Sequence, residues 1–218
     1  MRIKKRLLYG FVVVLIIIGG LYYWYSANEE PPPERKFSTR QLLIPSLPGW
    51  GIYSGPEDMP VDKIYLAWAI AWSEIRFMKP PVGIEQWTPV DVNKGKWEQI
   101  ADVTEWVVKF STNGHAGQAY REHYWVPDDT QNPFLSSPWQ PLKGLNYQSH
   151  IANQFRIVCN SDRQLVAACD IEAQYDEFYI LASYSSVNKY NDNNLIGDLK
   201  TIASAIDAQM EKYLVPQK

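Results

Sequence analysis

The chain has few of the residues that build most catalytic centres. Its 218 residues include two cysteines, Cys159 and Cys169, and three histidines, His115, His123 and His150. A structural zinc site needs about four nitrogen or sulfur ligands at close spacing. Two cysteines ten positions apart with no histidine nearby do not supply one, and they do not form the CxxC of a thioredoxin-type couple. His115 and His123, eight positions apart, are poorly aligned for a shared metal. The sequence has no GxSxG elbow, no P-loop and no dinucleotide-binding glycine pattern. No catalytic residue, metal or cofactor is assigned on these grounds. Asp58, Asp128, Asp129 and Asp176 are scattered carboxylates, and two acids distant in sequence can still meet across a glycosidic bond. A cell-wall or glycan hydrolase using loop carboxylates therefore stands as the alternative to a non-catalytic protein.

Positive charge is scarce beyond the first six residues. Arg2, Lys4, Lys5 and Arg6 lie there, leaving 17 cations against 24 acids in the remainder, a net of −7. An acidic body without a Lys/Arg cluster is a poor partner for nucleic acid or for anionic lipid headgroups. The chain also lacks an Asn-x-Ser/Thr glycosylation acceptor, which agrees with a bacterial source.

The N-terminus is rich in what the rest lacks. After MRIKKR (1–6) comes an uncharged run from Leu7 to Tyr25, close to the roughly 20 residues that span a bilayer as a helix. The cations before it favour the cytoplasm, and Tyr22, Tyr23, Trp24 and Tyr25 form an aromatic belt at the outer end. The expected layout is a cytoplasmic tip at 1–6, a transmembrane anchor at 7–25, a Pro-rich tether at 26–40 and an extracytoplasmic domain at 41–218. That places the domain outside the plasma (inner) membrane. A cleaved signal peptide is the competing reading, although a cut after Ala27 puts bulky Tyr25 where a small residue is wanted.

In the domain, LLIPSLPGWGIYSGPEDMP (42–60) reads as an irregular lead-in. IYLAWAIAWSEIRF (64–77) fits both a strand and a helical stripe, with strand favoured in its second half. DVTEWVVKFS (102–111) sets Trp106, Val108 and Phe110 on one strand face and Glu105 and Lys109 on the other. STN (111–113) then offers caps for a helix over 115–125, with Ala116, Ala119, Tyr120 and His123 facing inward. Leu195, Leu199, Ile202, Ile206, Met210 and Tyr213 stripe a final amphipathic helix. That stripe either packs on the sheet or receives a partner.

The cysteines suggest a register. If Cys159 faces Cys169 on antiparallel strands, Ile157 faces Ile171 and Phe155 faces Ala173 on an apolar side. Arg156 then faces Glu172, and Val158 faces Asp170, on a polar side. A one-residue slip destroys this agreement. A turn at Asp176-Glu177 continues the meander, pairing Phe178 with Tyr175 and Ile180 with Ala173. A cross-strand disulfide in an oxidising compartment is expected, with two buried thiols as the alternative. The fold class is α+β, an antiparallel sheet packed against helices on one face.

The domain holds eight tryptophans. Trp68, Trp72 and Trp106 suit a core by periodicity, whereas Trp87, Trp97 and Trp139 sit beside residues typical of surfaces. VPDDTQNPFLSSPWQPLKGL (126–145) has four prolines and no period, and a loop this long marks a lid, a binding loop or disorder. Trp139, Phe134, Trp125 and Trp87 are the candidate ligand-binding residues.

LPGW (47–50), the strand-then-helix EWVVKFSTNGHAGQAY (105–120) and a cysteine-bearing meander before a long last helix occur in one order. This order resembles the extracytoplasmic sensor domains of some bacterial receptor kinases and related lipoproteins, which share a PsbP-like α+β fold. Those domains carry two disulfides where this chain can form one. The resemblance implies a ligand-sensing or assembly role and transfers no site residues. The expected function is a membrane-anchored, extracytoplasmic, non-catalytic module for a small ligand or an envelope protein partner. A structural subunit of an envelope complex is a further alternative.

Overall fold

A computed structural model of the protein describes residues 32–64, 66–79, 101–122, 139–162, 166–187 and 192–216, together with Val14 and Ile17. The expected anchor at 7–25 lies outside these residues except for Val14 and Ile17, both helical and exposed. Among the described residues no helix is long and apolar enough to cross a membrane.

The elements in chain order are α1 (Thr39–Leu42), β1 (Gly51–Met59), β2 (Ala69–Lys79), β3 (Ala101–Phe110), α2 (Asn113–Glu122), β4 (Gln154–Asp162), β5 (Val166–Tyr175), β6 (Phe178–Val187) and α3 (Asp192–Leu214). The strands form one antiparallel sheet in the order β1-β2-β3-β6-β5-β4. The α+β class is therefore as expected. Cys159 pairs with Cys169, Ile157 with Ile171, Arg156 with Glu172 and Val158 with Asp170. Phe178 pairs with Tyr175 and Ile180 with Ala173. The register read from the cysteines is the register of the sheet, and the two sulfurs are bonded. Closing so short a loop contributes about 2–3 kcal/mol. Urea unfolding with and without reductant should differ by that amount, and coincident curves would show that the staple adds nothing.

Helices cover both faces of the sheet rather than one. On the first face, α3 lays Leu199, Ile202, Ile206 and Met210, all fully buried, against Ile171, Ala173, Phe178, Ile180 and Ala182. On the second, Ala116, Ala119 and Tyr120 of α2 cover Trp72, Val108, Phe110, Tyr179 and Leu181. The cause is visible in β6, where the consecutive residues Phe178 to Ala182 are all buried. A strand packed on both faces becomes a continuous apolar run rather than an alternation. β3 behaves in the same way at Val107 and Val108. Glu105 consequently lies in the first core instead of facing water, 1% exposed, with Oε2 accepting the Ile44 N–H at 2.8 Å.

Three other expectations change. Trp68 is not core: it is 44% exposed and has φ of 65°, at the turn into β2. The lead-in over 42–60 is largely ordered as β1, whose register shifts around Ser54 to Glu57, with Pro56 between them, suit a sheet edge. Leu42, Leu43, Ile44 and Leu47 before it are core. The folded body also reaches back into the expected tether. Arg35 binds Asp176 at 2.8 Å and Glu177 at 3.1 Å, and Phe37 packs on Phe178 and Tyr213.

A buried carboxylate fixes α3. Asp207, 2% exposed, accepts hydroxyl hydrogen bonds from Tyr147 and Ser149 at 2.7 Å and from Tyr175 at 2.5 Å. Burial, then the bond to Asp207, pushes the Tyr147 hydroxyl up to about 12, and Tyr175 is raised for the same reasons.

Candidate functional site

The second face of the sheet divides into an apolar half and a polar half. Rows read across paired strands show the change. Trp72, Val108 and Tyr179 share one row with Gln174 and Gln154. Farther from α2, Arg76, Thr104, Ser183, Asp170 and Val158 share a row. The next row holds Met78, Asp102, Ser185, Ala168 and Asn160. Arg76 pairs with Asp102 at 2.7 Å, and Ser185 donates to the other oxygen of Asp102. Arg76, Asp102, Thr104, Ser183 and Ser185 are all partly accessible.

Two side chains in this half are buried and incompletely bonded. Asp170 is 4% exposed and Asn160 is 1% exposed. Oδ1 of each is enclosed without a hydrogen-bond partner. A buried acceptor left unmet costs about 1–3 kcal/mol, so two at neighbouring register positions need a reason. Burial, opposed by a bond from Ser183 and aided by the nearby Glu172 charge, pushes the Asp170 carboxyl up to about 6. Glu172, 1% exposed, accepts at Oε2 from Arg156 at 2.5 Å and from the Tyr179 hydroxyl at 3.0 Å. Arg156 also donates to the Tyr120 carbonyl and lies 4.3 Å from the Tyr120 ring centre, linking α2 to the sheet.

Trp139 reaches the same place from outside the sheet. Gln140 and Cys159 exchange both backbone hydrogen bonds, at 3.0 and 2.8 Å, in an antiparallel bridge along the free edge of β4. Extending that bridge by one residue sets Trp139 opposite Asn160, on the second face. Trp139 is half-buried, and its indole Nε1 is enclosed without an acceptor. One aromatic donor and two carbonyl-type acceptors, each unmet, therefore sit at adjoining register positions. Small-molecule sites combine apolar or aromatic surface with a few converging polar groups in this way.

Of the residues expected at a site from sequence, Trp139 lies here. Phe134, Trp125 and Trp87 lie outside the described residues, as do Asp128 and Asp129. Asp58 is engaged elsewhere, accepting from Ser73 at 2.6 Å at the β1–β2 pair. Asp170 and Asn160 were not legible as site residues, because a polar residue on an expected solvent face carries no signal. Among the described residues no group of three or more His, Cys, Asp or Glu side chains could hold a metal. A cavity of about 100 Å³ lies elsewhere, between Ile151, Asn153, Tyr175, Asp176, Leu214 and Val215. It is far below the several hundred Å³ of usual ligand sites.

Fold and site together define an α+β domain with a six-stranded antiparallel sheet, one half of one face left polar. Compared with known proteins, the chain matches no family model, no curated protein and no solved structure.

Proposed function

We propose that this chain is a membrane-anchored, extracytoplasmic binding module, of the kind formed by bacterial sensor domains, and that it takes a small polar ligand at the polar half of its second sheet face. The observation that carries the reading is that Trp139 Nε1, Asn160 Oδ1 and Asp170 Oδ1, at neighbouring register positions, are all enclosed and unmet. Two acceptors beside one donor call for a ligand rich in amine or hydroxyl hydrogens, with an apolar flank for the indole ring. The charged run at 1–6 and the apolar run at 7–25 support the anchor, and the disulfide suits an oxidising compartment.

A hydrolytic reading draws on Asp170 and Glu172, neighbours on one face of β5 with unlike surroundings. It is the weaker reading, because Arg156 and the Tyr179 hydroxyl both bond Glu172 Oε2 and tie that carboxylate into the contact that links α2 to the sheet.

Native mass spectrometry of the protein extracted from its own membrane tests the proposal. A reproducible small-molecule adduct is expected on the parent, with occupancy at least about ten-fold lower in Asp170→Asn and in Trp139→Phe, the loss of one buried polar contact. The adduct should also decline as pH falls through about 6, where Asp170 gains a proton and stops accepting at both oxygens. An adduct retained in both variants, or none on the parent, overturns the site.

A further inference from the structure

The exposed apolar side chains of the domain are unevenly distributed. Between residues 32 and 216, the exposed large hydrophobics among the described residues are Ile52, Tyr53, Val61, Trp68, Ile70 and Val215. Ile52 and Tyr53 lie near the start of β1, where Gly51 pairs with Met78. The other four lie at the opposite end of the sheet. Met59 pairs with Trp72, so Val61 follows β1 out at that end. Trp68 precedes β2, and Ile70 is the unpaired residue of the bulge between Ala69↔Phe110 and Ala71↔Lys109. Val215 follows α3, and its neighbour Leu214 adjoins Tyr175 and Asp176.

The chain also enters the domain at that end. Arg35 is fixed to Asp176 and Glu177 at the β5–β6 turn, and the Glu177 carbonyl accepts the Phe110 N–H. Arg35 is ten positions after Tyr25, and no polypeptide of that length spans more than about 35 Å. A domain of this size is about 40 Å across. A tether that short, fixed at one end of the sheet, would have to be drawn out almost fully for the other end to meet the surface it emerges from.

Trp68 is presented there under constraint. Its φ of 65° is unusual for a bulky residue. Its carbonyl is held by the Ser111 N–H at 3.3 Å, and its ring stacks on His115 with centres 4.4 Å apart and planes 4° from parallel. The ring is nevertheless 44% exposed. Held backbone strain of this kind accompanies functional positions, and an indole ring suits the boundary between lipid headgroups and water.

We infer that the end of the domain bearing Val61, Trp68, Ile70 and Val215 rests on the outer surface of the bilayer that holds the N-terminal segment, with Trp68 at headgroup depth. The inference rests on the anchor proposed above. It leaves the polar half-face, toward the opposite end of the sheet, directed away from the lipid.

The test uses the full chain carrying 5-fluorotryptophan, one copy per phosphatidylethanolamine–phosphatidylcholine nanodisc, with a nitroxide on the headgroups. Fluorine signals of Trp68 and Trp50 are assigned by loss in Trp68→Phe and Trp50→Phe. The Trp68 signal should lose most of its intensity relative to the reduced nitroxide, while Trp50, beside the start of β1, keeps most of its own. Equal loss at both, greater loss at Trp50, or no loss at Trp68 overturns the orientation. If Trp68 is untouched in single-copy discs but shifts with protein concentration, the face belongs to a second copy and the inference falls. A chain released from membranes by alkaline carbonate removes the anchor, and the inference with it. A chain that stays integrated with Trp68 unquenched removes the orientation alone.

Discussion

Glu105→Gln should gain stability over the parent as pH rises, with the difference developing between about pH 4.5 and 8. Burial pushes the Glu105 carboxyl up to about 8, only partly opposed by the bond from the Ile44 N–H. The folded state therefore holds a proton through that window that the unfolded state has released. Parent stability falls as pH rises across it and levels off above 8. Glutamine keeps a carbonyl for the Ile44 N–H and cannot ionise. At pH 4 both side chains are neutral, so any fixed cost of the amide is already present there. Between pH 4 and pH 9 the difference between the two proteins should shift by on the order of 4 kcal/mol. Urea titrations across this range give the result directly. Parallel stability–pH curves would mean that Glu105 does not hold a proton in the folded protein.

Asp207→Ala should cost on the order of 4 kcal/mol, because it removes a charged acceptor that serves three hydroxyls at once. The three come from unlike places: Tyr147 and Ser149 from the segment before β4, and Tyr175 from the end of β5. The loss should therefore loosen the 145–151 segment as well as α3. Asp207→Asn keeps one carbonyl oxygen and should fall between the two, providing a measurable protein if the alanine variant does not fold. Denaturant midpoints for the three proteins, with hydrogen exchange over 145–151, check this. A cost below about 1 kcal/mol for alanine would mean that the hydroxyls find water as readily as they found Asp207.

The parts of the fold legible in sequence were those where one residue pair restrained many others. Cys159 and Cys169 determined the pairing of β4 with β5, and every neighbour agreed by chemistry, including Arg156 with Glu172. The stripe from Leu195 to Met210 was legible for the same reason, since a 3.6-residue period over many turns has few alternative explanations. Illegible were the positions where a residue's meaning depends on what lies beyond its own strand. Glu105 alternates with apolar neighbours as a solvent-facing residue would, yet α1 and the segment after it close over that face. Trp68 fits the alternation of a strand, but its left-handed backbone is set by the turn. Trp139 was singled out because an aromatic in a Pro-rich, aperiodic stretch has no structural duty to explain it. Its companions Asp170 and Asn160 became recognisable only once their burial and unmet oxygens were known.

The attachment of Arg35 has a mechanical consequence. Tension along the segment before it is delivered first to the Asp176–Glu177 turn, through two charged contacts next to the fully enclosed Glu177. The strand ladder bears none of that pull until the guanidinium has let go, Phe37 has left Phe178 and Tyr213, and α1 has lifted from the core. A pull along that segment is thus resisted by a clasp where the described chain enters the domain, and the strand pairing beneath the polar half-face lies outside the path of the force.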